Sequence, residues 1–294
     1  MKRLLPLVLL LACDTNQTPV PGKGQYVTPE PDVLSGYPTT PDGDPYQPPG
    51  PAAIECMPNL DGKISADELK AAFGVPVSYL VNPANTERSV NVVGVKGEGV
   101  HYWDWSVDRA DDQVATFVAT TLDGKWYAAS FPSGEFVTSL DAGGTVDSVY
   151  RRDDEALWLL GVASREENPK AGQTLLVYDK PIPLFRFPIE PGSKWVASAS
   201  IQGGKLYGLP YAGKDIYEVS VDGIGELALR DLTFTQALRV RTKTTVSPAV
   251  GKAVSKRQVS FLFECFGEVA RATSRNDEPA EDFTTAVEVR RLGL

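Results

Sequence analysis

QVSFLFECF, from Gln258 to Phe266, places Val259, Phe261, Phe263 and Cys265 at every second position. A period of two is the mark of a strand whose alternate side chains share one face. Read this way, Cys265 follows the three apolar residues before it into a core. The stretches Val90 to Val95, Tyr102 to Val107, Lys125 to Phe131, Leu157 to Ala163, Leu175 to Tyr178, Ile216 to Val221 and Leu238 to Val246 have the same character. Each is short and rich in β-branched or aromatic residues, and Gly, Asp, Asn or Pro separates it from the next. Asp123-Gly124, Gly203-Gly204 and Asp222-Gly223 read as hairpin turns. The expected class is mainly β: a large antiparallel sheet curled into a sandwich or an open barrel to bury one face. One short N-terminal helix precedes it, with Ser65 as cap, Glu68 completing a capping box and Gly74 as stop.

The amino terminus reads as an address. Lys2 and Arg3 precede an apolar run from Leu4 to Ala12, the pattern of a secretory signal that is too short for a permanent membrane helix. Leu10 to Cys13, LLAC, resembles the lipobox of bacterial lipoproteins. That resemblance implies cleavage before Cys13, lipidation of Cys13, and a membrane partner reached through the lipid anchor. Leu11 stands where the family usually carries a smaller residue. Asp14, directly after the cysteine, resembles a signal for retention at the inner membrane, so the expected location is the outer face of the inner membrane or the outer membrane. Residues 14–53 hold ten prolines and five glycines and almost no aliphatic side chains, so they cannot bury a core. As a tether they would reach roughly 35 Å when coiled and 120 Å when extended. The expected division is a signal peptide over 1–12, a lipidated and disordered tether over 13–53, and a single β-rich domain over 54–294.

Composition narrows the chemistry. The 294 residues carry 29 basic and 38 acidic side chains, a net charge of −9, which points away from nucleic acid. One histidine, His101, and three cysteines leave no two-histidine metal site and no four-thiolate site. In an oxidising exported compartment, Cys56 and Cys265 are the pair left to bond once Cys13 is lipidated.

KPIPLFRFPI (Lys180 to Ile189), PGSKW (Pro191 to Trp195), QALRVRT (Gln236 to Thr242) and FGEVARATS (Phe266 to Ser274) resemble an uncharacterised class of exported bacterial β proteins, many of them lipoproteins of myxobacterial type. The resemblance implies an extended antiparallel sheet and transfers no reaction.

Three features invite a chemical reading. MPNLDGKISADE, Met57 to Glu68, resembles a calcium-binding EF-hand loop, with Asn59, Asp61, Ser65 and Glu68 at ligand positions and Gly62 at the tight turn. Met57 replaces the usual first aspartate, and the same residues read equally as the helix cap. HYWDW, His101 to Trp105, sets Trp103 and Trp105 on one strand face, where two indoles serve either as a ligand-binding platform or as core. Carboxylates gather at Asp108, Asp111 and Asp112, and again at Asp153, Asp154 and Glu155, the raw material of a glycosidase pair or of a solvated surface. No serine elbow, phosphate loop or zinc-protease motif is present.

The leading expectation is therefore a non-enzymatic envelope lipoprotein without a cofactor. Its β domain would bind an apolar ligand, a lipid or a glycan, or serve a structural role. A carboxylate-dependent glycan hydrolase and a calcium-stabilised adhesive module are the alternatives.

Overall fold

A computed structural model describes residues 56–97 and 100–293; the signal peptide, Cys13 and the tether lie outside the described residues. The strands, in chain order, are β1 (Pro76–Val81), β2 (Arg88–Ser89), β3 (Val95–Lys96), β4 (His101–Asp104), β5 (Gln113–Val118), β6 (Thr120–Thr121), β7 (Phe136–Ser139) and β8 (Val146–Arg152). They continue as β9 (Ala156–Ser164), β10 (Leu175–Arg186), β11 (Lys194–Leu206), β12 (Leu209–Ala228), β13 (Thr233–Pro248), β14 (Val254–Phe263), β15 (Gly267–Ser274) and β16 (Thr285–Leu292). The protein is mainly β, as its alternation implies. No helix among the described residues is long and apolar enough to cross a membrane.

All sixteen strands belong to one sheet, whose main path runs β5-β1-β16-β15-β14-β13-β12-β11-β10-β9-β8-β7-β6. Ala119 alone separates β5 from β6 in sequence, and it bridges Phe73. The first and last strands of the path are thus tied together, and the sheet nearly closes into a barrel-like shape. Pairing is antiparallel along this path; β4 runs parallel to β12, beside it.

Three strands are far longer than the usual five or six residues: β11 has 13, β12 has 20 and β13 has 16. Their length corrects the turn assignment of two glycine dipeptides. The register of β11 against β12 shifts between Ile201 and Gly204, and that of β12 against β13 shifts between Val221 and Gly223. Gly203-Gly204 and Asp222-Gly223 are therefore bulges inside continuous strands, which bend the sheet where a turn would have ended it. A second glycine serves close approach: a Cβ on Gly225 would stand 2.2 Å from the His101 carbonyl oxygen, so only glycine lets β4 lie against β12 there.

Both faces of the central strands are covered. Tyr150 of β8 and Tyr217 of β12 pack against the same cluster, formed by Leu159, Ile182 and Ala199. Tyr150 and Tyr217 also lie near enough to interact electrostatically, although β8 and β12 are four intervals apart on the path, which marks this as the concave, inner face. Tyr217 also borders Val219, Val221, Leu238, Val240 and Leu262, which fill that face further along. Ala237, Val259, Phe261 and Phe263 alternate with these residues and point outward, where Trp103, Trp105 and Phe283 cover them. This double cover explains why VSFLF in β14 is nearly continuous in apolar character.

Three local expectations are corrected. Lys125 to Phe131 is not a strand but contains a 3-10 turn at Ala128–Ser130, because Tyr127 is buried against Val137, Val149 and Ala163 and its hydroxyl donates to Asp147 at 2.8 Å. Val90 to Val95 yields only the edge of the two-residue β3, and the segment before it serves as cover for the outer core. The N-terminal helix shrinks to a 3-10 turn at Ala66–Glu68, since Phe73 must already be extended to bridge Ala119.

The disulfide between Cys56 and Cys265 is present, closing a separation of 209 residues. Cys265 does not continue the strand alternation, however. β14 ends at Phe263, and Cys265 occupies a half-buried turn with φ at 66°. That turn clasps the N-terminal segment: the Leu60 N–H donates to the Glu264 carboxylate at 2.8 Å, and the Cys265 N–H donates to the Glu68 carbonyl at 2.9 Å.

Candidate functional site

Outward-facing positions on β11 to β14 form two cross-strand rows. Lys194 stands opposite Ser220, Ser220 opposite Arg241, and Arg241 opposite Val259. In the next row Val196 faces Glu218, Glu218 faces Lys243, and Lys243 faces Arg257. Alternation puts all eight on the outer face, because Trp195 and Val219 between them, and Val240 and Leu262 at alternate positions further along β13 and β14, point inward. Together with Glu281 from the loop before β16, these rows line an open cleft of about 480 Å³.

The charges of the floor are unequally matched. The bulge residue Asp222 accepts from Arg239 Nε at 2.7 Å and from Arg241 Nε at 2.5 Å. Arg241 also reaches Asp282 at 2.5 Å and the Glu281 carbonyl at 2.8 Å, and Arg239 donates to the Val92 carbonyl at 2.8 Å. These two guanidinium groups are buried and paired, and they pin the covering segments to the sheet. Lys243 pairs with Glu218 at 3.0 Å. Arg257 donates to the Glu278 and Pro279 carbonyls, at 3.0 and 3.3 Å. Among the described residues, neither Arg257 nor the exposed Lys194 has a carboxylate partner within 4.0 Å. In a chain of net charge −9, this cleft thus carries two cations that remain available to a ligand.

The indole platform is not a surface. Trp103 is 0% exposed and Trp105 is 5% exposed. Their rings lie 4.9 and 5.1 Å from Phe261, and their Nε1 groups donate to the Val93 and Asn91 carbonyls. The alternation of HYWDW is as expected, but the face it defines is turned onto the sheet, and the exposed residues are Tyr102 and Asp104.

The calcium-like loop directs its oxygens into its own backbone. Asn59 Oδ1 accepts from the Asp61 N–H at 2.8 Å, and Asp61 Oδ1 accepts from the Lys63 N–H at 3.1 Å. The Glu68 carboxylate accepts from the Asn59 amide at 2.9 Å, the Ser65 N–H at 2.8 Å and the Ser65 hydroxyl at 2.9 Å. An amide nitrogen facing Glu68 is a donor, which a cation would repel. Asn59, Asp61, Ser65 and Glu68 do not fit a calcium site in this arrangement; Ser65 and Glu68 form a capping box, and Asn59 and Asp61 cap turns two residues on. Among the described residues no three His, Cys, Asp or Glu side chains gather closely enough to hold a metal.

The carboxylate clusters are likewise committed. Arg88 binds Asp111 at 2.6 Å and Asp112 at 3.2 Å, and Asp112 also pairs with Arg291. Asp153 accepts from the Glu155 and Ala156 N–H groups and from Trp158 Nε1. A recess of about 70 Å³ does bring Asp104 near Asp112. Hydrogen bonds from the Ser106 hydroxyl and N–H hold the Asp104 carboxyl below its usual range, so it is unsuited to be the protonated general acid of a pair. Burial pushes the Asp215 carboxyl up, but Asp215 points inward to Tyr178 while Glu218 points outward. No glycosidase pair emerges from these groups.

Sequence reasoning passed over Lys194, Glu218, Lys243 and Arg257. Each sits at a polar position in an alternating run, which the sequence displays, but only the strand register brings the four together. Compared with protein-family models, curated proteins and solved structures, the chain matches none.

Proposed function

We propose that this chain is an exported, lipid-anchored envelope protein that acts by binding, and that its β domain holds a glycan in the outer-face cleft. The anchoring part of the reading rests on LLAC at Leu10 to Cys13 and on the proline-rich stretch that follows. The binding part rests on one observation: the cleft of about 480 Å³ lined by Lys194, Glu218, Arg241, Lys243 and Arg257. Charged and hydroxylated walls suit a hydrated, polar ligand, since an apolar one would strip water from these groups without replacing its hydrogen bonds. The inner face offers less to a lipid, because Ile182, Val221, Leu238 and Leu262 fill it at 1% exposure or below.

The full chain, expressed in a bacterium with its leader intact, tests both parts. A mature N-terminus at an acylated Cys13, together with retention of the protein on polysaccharide matrices, supports the reading. Ser220→Trp, which obstructs the cleft floor whatever the ligand's charge, should abolish retention. An unlipidated protein, or retention that Ser220→Trp leaves intact, would contradict it.

A further inference from the structure

We infer that the cleft selects an acidic glycan, a chain bearing carboxylates on successive sugars, with Lys194 and Arg257 as the residues that read its charge. This inference rests on the glycan-binding reading above and names the class of glycan. The geometry points to a polymer and not a single anion. Lys194 lies on β11 and Arg257 on β14, three strand intervals apart in the paired rows. At the usual strand spacing their backbones stand about 15 Å from each other. An extended oligosaccharide crossing the strands spans that gap, meeting Lys194 at one end and Arg257 at the other. Between them the floor offers Ser220 and the Glu218–Lys243 pair, polar groups suited to sugar hydroxyls.

The surroundings strengthen the assignment. Arg241 already holds Asp222 and Asp282, so the ligand need not neutralise it. Arg257 is oriented by the two loop carbonyls that accept from its Nε and one Nη, which leaves its remaining N–H groups free to donate. Lys194 is exposed, so its ammonium group can follow the ligand. Two carboxylates line the cleft: Glu281, 3.9 Å from Arg241 Nε, and Glu218, whose ion pair masks Lys243. That mask gives the inference an opposite-signed test: removing it should strengthen binding.

The experiment is isothermal titration of the full-length protein in detergent with three oligosaccharides of equal length: oligogalacturonate, its methyl ester and a neutral dextran fragment. Oligogalacturonate should bind about tenfold more tightly than the ester. Lys194→Gln should weaken it several-fold, roughly what one partly exposed charge contact supplies. Glu218→Gln, which frees Lys243, should tighten it by a similar factor. Thermal melts of both variants report folding, and neither substitution touches the core. Equal affinity for acid and ester, or an affinity that neither substitution moves, overturns the acidic selectivity while the glycan reading stands. Binding of none of the three by a folded protein overturns the glycan reading itself, and the selectivity with it.

Discussion

Replacing both Cys56 and Cys265 by serine isolates what the long covalent loop contributes. The bond spans 209 residues, nearly the whole described domain. Chain-entropy arguments give about 5 kcal/mol for closing a loop of that length, acting through the unfolded chain. The native segment should stay in place without it, because Ile64 is buried and pairs with Ile189, and Leu60 and Glu68 remain hydrogen-bonded to the turn at Glu264 and Cys265. The loss should therefore appear as lower stability with an unchanged fold. With a urea dependence of about 3 kcal/mol per molar for a domain of this size, the midpoint should fall by roughly 1.5 M. The thermal midpoint should fall by about 10 to 20 °C. The assay is reversible urea unfolding of the oxidised protein, the reduced protein and the double serine variant. The last two should coincide and should show a steeper transition than the first, because a cross-linked unfolded chain exposes less surface. A midpoint shift under about 0.3 M would refute the loop argument.

Three further outcomes follow from the same structure. Trp103→Ala should cost about 3 to 5 kcal/mol in unfolding experiments, since it empties a fully buried site, and should leave glycan affinity per folded molecule unchanged; a stable variant with lost binding would restore the platform reading. Millimolar calcium should leave the melting temperature unmoved while Ser65→Ala lowers stability by about 1 kcal/mol; a calcium-dependent rise would show an ion at Glu68. Burial opposes ionisation of Glu268, yet Arg271 and Arg290 hold its carboxyl below the ordinary 4.5. A lowered carboxylate stabilises the fold above its unfolded pKa, and that contribution fades as pH falls through the folded value. Glu268→Gln should therefore cost about 3 kcal/mol at neutral pH and flatten the acid limb of the stability profile below pH 4.5. An acid limb that the substitution leaves unchanged would assign it to other groups.

The sheet was legible because Val259, Phe261 and Phe263 alternate, and because runs such as Leu157 to Ala163 are too apolar for a surface. The disulfide partners were legible from the cysteine count and the expectation of export, although the position of Cys265 was not: a strand pattern cannot show that the chain turns one residue early. Gly203-Gly204 and Asp222-Gly223 misled because bulges and hairpin turns draw on the same glycine-rich dipeptides. Asp222 shows what distinguishes them, since its carboxylate is held by two arginines from the neighbouring strand, a long-range fact invisible in local composition. The near closure of the sheet was equally hidden, as it rests on the two end strands being joined through the single residue Ala119. The cleft could not be read at all before the register was known. Its residues lie from Lys194 to Glu281 in sequence, and each alone looks like an ordinary exposed strand position.

The location of binding carries the whole account, and amide chemical-shift mapping with oligogalacturonate tests it most directly. Shifts should centre on residues 194–196, 218–220, 241–243 and 257–259. Perturbations centred instead on the inner-face tyrosines Tyr150, Tyr178 and Tyr217, or around Trp103, would contradict the assignment of function to the outer cleft.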